Sequence, residues 1–471
     1  MSLVVPFEEI FNGEGLLSKA EHWNRFELKS ACTIQNGFAL KSKLFNSEHG
    51  FPIIRIRDLK FNKVQTYYTG DYPQQYEVDN GDLLIGMDGD FICYEWGGGK
   101  AVLNQRVCKI VPNESILLKR FLFYGINGYL HAIQKATSSV TVGHLSSIDL
   151  GNIPFPIPPI DEQKIMVAKL DAIMQKVEAN KHRLEKIPKL LKRFRQSVMA
   201  AAVSGRLTEV WREENNKVTL YSTNNINENY EWRTFDLPNT WKWDYIKNIG
   251  DHILGKMLDA AKNKGELTYY LRNVSVRWFE IDLDSLTEIK ATKEDKIKFD
   301  LRDGDLFVCE GGEPGRAAVW HKGVNNFIFQ KAIHRIRPNK YVNPYWVLYN
   351  LKVDADGGNL ESLFTGTGIK HLTLKSLSKY PIAIPPIEEQ KEIVRRIEQL
   401  FAFSDKIEAR YTKAKAMLDR LPQSILAKAF RGELVPQDPG DEGARVLVER
   451  IKAEMVEKAE GQKMKGHRTK R

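Results

Sequence analysis

The chain has 471 residues, 42% of them hydrophobic and 28% charged, with a formal net charge of +10. This length accommodates several domains with their own cores, and the basic excess suits an anionic partner without identifying one. No apolar run spans a bilayer, MSLVVPFEEIF lacks the basic flank and apolar core of a signal peptide, and Cys32, Cys93, Cys108 and Cys309 show no CxxC spacing. A cytoplasmic chain is therefore expected, with core cysteines and neither a disulfide framework nor a zinc site.

In chain order, residues 1–22 read as an N-terminal extension and 23–156 as a mixed α/β module. Short apolar strands such as Pro52–Ile56 and Asp82–Gly86 lie there between Gly, Asn and Asp turns, with a helix over Lys119–Lys135. Residues 157–212 predict a long helix. The Pro158-Pro159 pair and acidic first turn mark its start, and Met166, Leu170, Ile173, Val177, Leu184, Ile187, Leu191, Phe194, Val198 and Ala201 form a heptad seam. Pro188 predicts a break or kink, and Gly205 the end. Residues 213–240, rich in Asn and Glu without periodicity, read as a linker.

The second half repeats this order. Residues 241–383 are a second α/β module, with a strand over Asp305–Cys309 and a helix from Pro344 to Leu351. Residues 384–435 are a second helical segment, whose seam runs Ile393, Ile397, Leu400, Ser404, Ile407, Tyr411, Ala414, Leu418, Leu421 and Ile425. Pro422 likewise predicts a break or kink, and Gly432 the end. Two such helices are expected to pack together, each with a straight part of about 40 to 50 Å at 1.5 Å per residue. Residues 436–471 read as a basic C-terminal helix or tail.

The two halves are copies. Ile157-Pro-Pro-Ile-Asp-Glu-Gln-Lys164 returns as Ile384-Pro-Pro-Ile-Glu-Glu-Gln-Lys391, and 18 of the 51 pairs between 157–207 and 384–434 are identical. Upstream the likeness thins to anchors. His144-Leu145 matches His371-Leu372, Gly81-Asp82-Leu83 matches Gly304-Asp305-Leu306, Gln105-Arg106 matches Gln330-Lys331, and Ile56-Arg57 matches Leu271-Arg272. Each half is thus a variable module followed by a constant one.

Catalytic signatures are missing. Both Pro-Pro pairs precede helices and are not methyltransferase loops. Gly97-Gly98-Gly99-Lys100 lacks the first glycine and the Ser/Thr of a phosphate-binding loop, and Glu288-Ile289-Lys290 reads as an exposed strand. His144 and His371 have no second ligand at metal spacing. A cluster of Lys181, Arg183, Lys186, Lys189, Lys192, Arg193 and Arg195 suits phosphate or an acidic partner as well as it suits a solvated helix face.

With its duplicated IPPIDEQK and IPPIEEQKEIVRRIEQLFA starts, and LKRFRQSVMAAAVSGRLTEVWR and QSILAKAFRGELVPQDP endings, the chain resembles the specificity subunit of type I restriction-modification systems over nearly its whole length. The resemblance implies two target recognition domains, 23–156 and 241–383, each reading one half of a bipartite, asymmetric double-stranded DNA site. It further implies that helical spacers 157–212 and 384–435 pack as an antiparallel, pseudo-twofold coiled coil, set the unread gap and dock two methyltransferase subunits. It implies no catalysis and no cofactor on this chain. S-adenosylmethionine belongs to the methyltransferase, and ATP and magnesium to two motor-nuclease restriction subunits; no membrane is involved.

Base readers should be polar, long or planar side chains on loops, because base edges are told apart by hydrogen-bond pattern. The candidates are Gln35, Asn36 and Lys41; Ser138, Ser139, Thr141 and His144; and, in the second copy, Lys256, Arg316, Thr365, Thr367, Lys370 and His371. The competing reading is a coiled-coil scaffold that binds nucleic acid without reading its sequence.

Overall fold

The computed structural model describes residues 7–11, 15–137, 144–215, 237–259, 261, 263–284, 286–323 and 326–435. Most of the predicted linker, the predicted tail, and Ser138, Ser139 and Thr141 lie outside these residues. The chain forms two compact units, one of residues 1–184 with 413–471 and the other of 185–412.

In chain order the first unit holds β1 (Asn24–Glu27), β2 (Cys32–Asn36), β3 (Leu83–Gly86), β4 (Cys93–Glu95), β5 (Val107–Pro112), α1 (Lys119–Thr137), β6 (Pro154–Ile157) and α2 (Ile160–Leu184). The second holds α3 (Ile187–Val203), β7 (Lys242–Tyr245), β8 (Gly250–Leu254), β9 (Leu306–Cys309), β10 (Ala317–Val319), β11 (Ile333–Pro338), α4 (Pro344–Asp356) and β12 (Pro381–Ile384). Helix α5 (Ile387–Phe430) starts in the second unit and ends in the first.

The four-stranded sheets and the two-stranded pairs repeat strand for strand. The four-stranded sheet has order β2-β5-β3-β4 in one unit and β8-β11-β9-β10 in the other, and the antiparallel pairs β1–β6 and β7–β12 correspond. Each domain adds a second sheet, of five strands in the first and three in the second, containing one parallel pair, Ile54 beside Leu103 and Leu271 beside Phe329. Backbone bonds give the true register of the duplication. Gly81 donates to the Trp96 carbonyl as Gly304 does to that of Trp320, which confirms the Gly-Asp-Leu anchor. Gln105 and Lys331 occupy the same place, however, so Asn104 is the mate of Gln330; likewise Ile54-Arg55, and not Ile56-Arg57, is the mate of Leu271-Arg272. The sequence alignment slipped by one and two residues because it matched side chains, whereas the fold keeps the ladder.

Each unit is closed by a helix that begins beside its own domain and by one that begins elsewhere in the chain. In the first, Trp23, Phe121 and Phe155 share a core with Met166 and Leu170 of α2 and with Phe430 at the end of α5. The N-terminal segment joins that core through Phe11, with Phe7, Ile10 and Leu17 packed against it. In the second, Trp241 and Trp346 bury Val198 of α3 and Ile393 and Ile397 of α5. There Arg195 lies 2.7 Å from both Asp405 and Glu408, and Arg396 donates to the Leu207 carbonyl, so α3 and α5 run antiparallel. In the first unit Lys169, near the start of α2, donates to the Leu434 carbonyl just past the end of α5. Along α5, positions Ile393, Ile397, Leu400, Ser404, Ile407, Tyr411, Ala414 and Leu418 are all buried or half-buried, as the heptad requires; Leu421 is 40% exposed.

The two prolines behave differently. The first helical segment breaks after Leu184, and Pro188 sits in the first turn of α3, where a missing amide costs nothing. Its repeat mate is Lys415, so nothing interrupts the second copy there, and the predicted break at Pro422 does not occur. Helix α5 runs 44 residues through that proline, about 66 Å. The half-buried Leu418 lies among exposed residues, so water can take the carbonyl that Pro422 leaves without a donor. Both segments end as expected on left-handed glycines, Gly205 at φ 79° and Gly432 at φ 77°, which donate to the Ala202 and Ala429 carbonyls.

The repeated Glu-Gln of each helix start has a structural use that spacing alone did not reveal. Gln163 is fully buried; its Nε2 donates to the Ile116 and Pro158 carbonyls and its Oε1 accepts from the Leu118 amide. Gln390 repeats this with the Tyr341 and Pro385 carbonyls and the Asn343 amide. Beside it, Glu162 accepts from the Trp23 indole and Glu389 from that of Trp241. These side chains tie each spacer helix to the loop ahead of α1 or α4. The cysteines are core residues, three buried and Cys32 half-buried, and burial pushes the Cys108 thiol up to about 12.

Candidate nucleic-acid interface

His144 and His371 stand at matching places. The following residue, Leu145 or Leu372, is fully buried and donates its amide to the carbonyl of Met87 or Glu310, so each histidine stands where the chain enters the core. In the second domain the loop is closed by paired backbone bonds between Thr365 and His371. Between them Gly366 holds φ 103°, and a Cβ there would lie 2.4 Å from the Ile369 carbonyl oxygen, so only glycine fits. Thr365, Thr367, Lys370 and His371 are all exposed, and Ile369 is 75% exposed. The loop therefore presents two hydroxyls, an ammonium, an imidazole and one apolar tip.

The root of the first loop is more strongly charged. His144 Nδ1 lies 2.6 Å from Asp88, whose carboxylate also pairs with Arg106 at 3.0 Å. Gly311 takes the place of Asp88 in the second domain, and a side chain there would press on the His371 ring, 3.1 Å from Nδ1. Burial pushes the neighbouring Glu310 carboxyl up, against the pull of His371 and Lys331.

The remaining candidates separate into two kinds. Asn36 and Lys41 are exposed; Asn36 donates to Ser147 Oγ, and Gln35, half-buried, donates to the Gln75 carbonyl. Lys256 and Arg316, in contrast, have structural partners. The Lys256 side chain is 13% exposed and lies 2.7 Å from Asp295, while Arg316 donates to the Asn273 carbonyl and pairs with Glu313. Asp295 and Asn273 lie 39 and 43 residues away, beyond the reach of local sequence reading. Gly97 and Gly99 likewise spend their amides on Asn62 and Asn80, and Glu288-Ile289-Lys290 lies on a largely exposed strand, Thr287–Ala291. Among the described residues, no group of His, Cys, Asp or Glu is arranged to hold a metal ion, and no helix is long and apolar enough to cross a membrane.

Beneath the second loop lies a buried polar chain. His334 Nε2 donates to the Leu372 carbonyl at 2.7 Å, His334 Nδ1 faces His252 Nε2 at 3.3 Å, and His252 Nδ1 faces Ser378 Oγ at 3.3 Å. Burial holds both rings neutral. It lowers His252 to about 4 against an opposing pull from Asp251, and lowers His334 to about 3 with repulsion from His252 adding to it. A depressed histidine stabilises the fold above the unfolded value near 6.5, and that stability is lost as the pH falls towards the folded value. Between pH 7 and pH 5 the second unit is expected to lose on the order of 2 kcal/mol for each histidine. Urea unfolding at the two pH values checks this; equal stabilities would contradict it.

Comparison with known proteins agrees with this geometry. Residues 20–189 and 238–415 each match the type I restriction modification DNA specificity domain. The chain is 40% identical over 463 residues to the specificity subunit of the Escherichia coli type I restriction enzyme EcoBI, covering 94% of each chain. It is 31% identical to the EcoKI specificity subunit of E. coli K12, over 92% of this chain and 96% of that one. In fold it is similar to the HsdS subunit from Thermoanaerobacter tengcongensis, with a TM-score of 0.59 at 19% identity over 88% of this chain and 97% of that one. A chain from a structural study of the assembly and conformational transition of a type I R-M system gives 0.60 at 18% identity, over 88% and 99%. Two copies of the family domain, over most of the chain's length, place this chain in the family of type I restriction-modification specificity subunits, the non-catalytic DNA-recognition members of those systems.

Proposed function

We propose that each recognition domain reads one half of a bipartite, asymmetric double-stranded DNA site. The observation that carries this is a repeated root preceded by different sequences, Ser138-Ser-Val-Thr-Val-Gly143 before His144 and Thr365-Gly-Thr-Gly-Ile-Lys370 before His371. Equal frames with unequal reading residues are what two unlike half-sites require. His144, Thr365, Thr367, Lys370 and His371 are the readers, together with Ser138, Ser139 and Thr141; Gln35, Asn36 and Lys41 contact the same half-site as His144. Lys256 and Arg316 act by holding their loops. The spacer helices set the unread gap and dock two methyltransferase subunits, which bring S-adenosylmethionine, and two restriction subunits add ATP- and magnesium-dependent translocation and cleavage. The complex works in the cytoplasm.

Competition binding tests this reading, with the chain assembled on its methyltransferase partner and random duplex as competitor. Specific duplex should outcompete random duplex by at least about a thousandfold, as specific DNA readers do. Thr367→Ala and Lys370→Ala should reduce discrimination at one half-site only, by about tenfold each. Affinity set by salt alone, and indifferent to sequence, would return the chain to the non-specific scaffold class.

A further inference from the structure

We infer that His334 is the positioning residue of the second reading loop, fixing the Leu372 carbonyl and with it the path on which Thr365–His371 leaves the domain. The inference rests on the reading role proposed above for that loop. His334 is fully buried on β11, between β8 and β9, and donates to the Leu372 carbonyl.

Its chemistry suits the task. A carbonyl only accepts, so Nε2 of His334 must carry the proton, and Nδ1 is left as an acceptor. His252 Nε2–H then donates to it, which leaves His252 Nδ1 facing the Ser378 hydroxyl, itself 2.6 Å from the Leu374 carbonyl. The hydrogen bonds thus join β8, β11, the loop root and the short helix Leu374–Ser378 in one orientation. Protonating His334 would set its Nδ1–H against the Nε2–H of His252, so this order requires a neutral His334.

The root passes this order to the loop over a short path. Leu372 is held at its amide by Glu310, at its buried side chain by the core and at its carbonyl by His334. The preceding residue, His371, is cross-linked to Thr365, and five residues lie between them. In the first domain the same register position is Cys108, which pairs with Asn36 and Ile85 as His334 pairs with Leu254 and Val308. A thiol is shorter and a weak donor, so the two copies differ at the root of the loop as well as in the loop itself.

The test uses the chain assembled with its methyltransferase partner and measures competition binding against duplexes altered at each half-site in turn. His334→Cys, which installs the residue of the first domain, should lower discrimination at the half-site affected by Thr367→Ala and Lys370→Ala by about tenfold, leaving the other half-site and the salt dependence unchanged. His334→Gln, whose amide can reach the same carbonyl, should recover most of the loss. Equal losses at both half-sites, or no rescue by glutamine, would reduce His334 to a packing residue and overturn the inference. An effect of the loop variants without an effect of His334→Cys would overturn positioning and leave loop reading intact; no effect from any of them would remove the reading role itself. If His334→Cys yields no folded complex, His252→Ala takes its place. It keeps the donor but frees the ring, and should lower discrimination at the same half-site, while an unchanged value overturns the inference.

Discussion

Replacing Gln390 with alanine will destabilise the second unit by on the order of 3–5 kcal/mol, because it strips three hydrogen bonds made by a fully buried side chain. The Tyr341 and Pro385 carbonyls and the Asn343 amide all bond to this one buried side chain. Alanine leaves all three unpaired, and each buried orphan costs about 1–3 kcal/mol. Glutamate keeps the acceptor for the Asn343 amide but turns a charge on the two carbonyls, so Gln390→Glu should fare no better. Denaturant unfolding measures the loss, and native-state hydrogen exchange locates it in the strands of residues 241–384. A loss below about 1 kcal/mol would show that the clamp carries little of the fold.

Phe430→Ala is expected to cost the first unit about 3–5 kcal/mol, the usual range for emptying a buried aromatic site. The ring is fully buried at the end of α5, 5.1 Å from Phe121, 6.1 Å from Phe155 and 6.3 Å from Trp23 between centroids. The packing is tight enough that a Cβ on Gly125 would lie 2.3 Å from the ring, so Gly125→Ala should be nearly as damaging. The effect reports on the covering of the first domain by a helix that begins more than 200 residues further along the chain. Exchange protection should fall across Lys119–Thr137 and hold in the second unit. Loss confined to the end of α5 would mean that the ring is a plug of little consequence to the domain.

Much of this architecture was legible because it rests on short-range rules. The Pro-Pro starts, the left-handed glycine stops and the three-four spacing of the seam each depend on neighbours within one or two turns, and the structure places them where the sequence predicted. The Pro422 break was misjudged because proline's cost depends on what surrounds the freed carbonyl, and here that surrounding is solvent. The same limit applies to the side chains offered as readers. Lys256 and Arg316 look free in sequence but find Asp295 and Asn273 across the domain. The repeated Glu-Gln read as a helix start, with its acidic residue suited to the dipole; its larger use, clamping the helix to a distant loop, needed partners about 45 residues away. His334 carried no motif at all, and its meaning lies wholly in the carbonyl it meets.

The most direct test of the central claim is methylome sequencing of cells that express this chain with its methyltransferase partner. The account predicts one methylated adenine motif made of two unlike half-sites at a fixed unread spacing, with Lys370→Ala relaxing one half and leaving the other intact. A continuous motif, two identical half-sites, or methylation without a motif would contradict it.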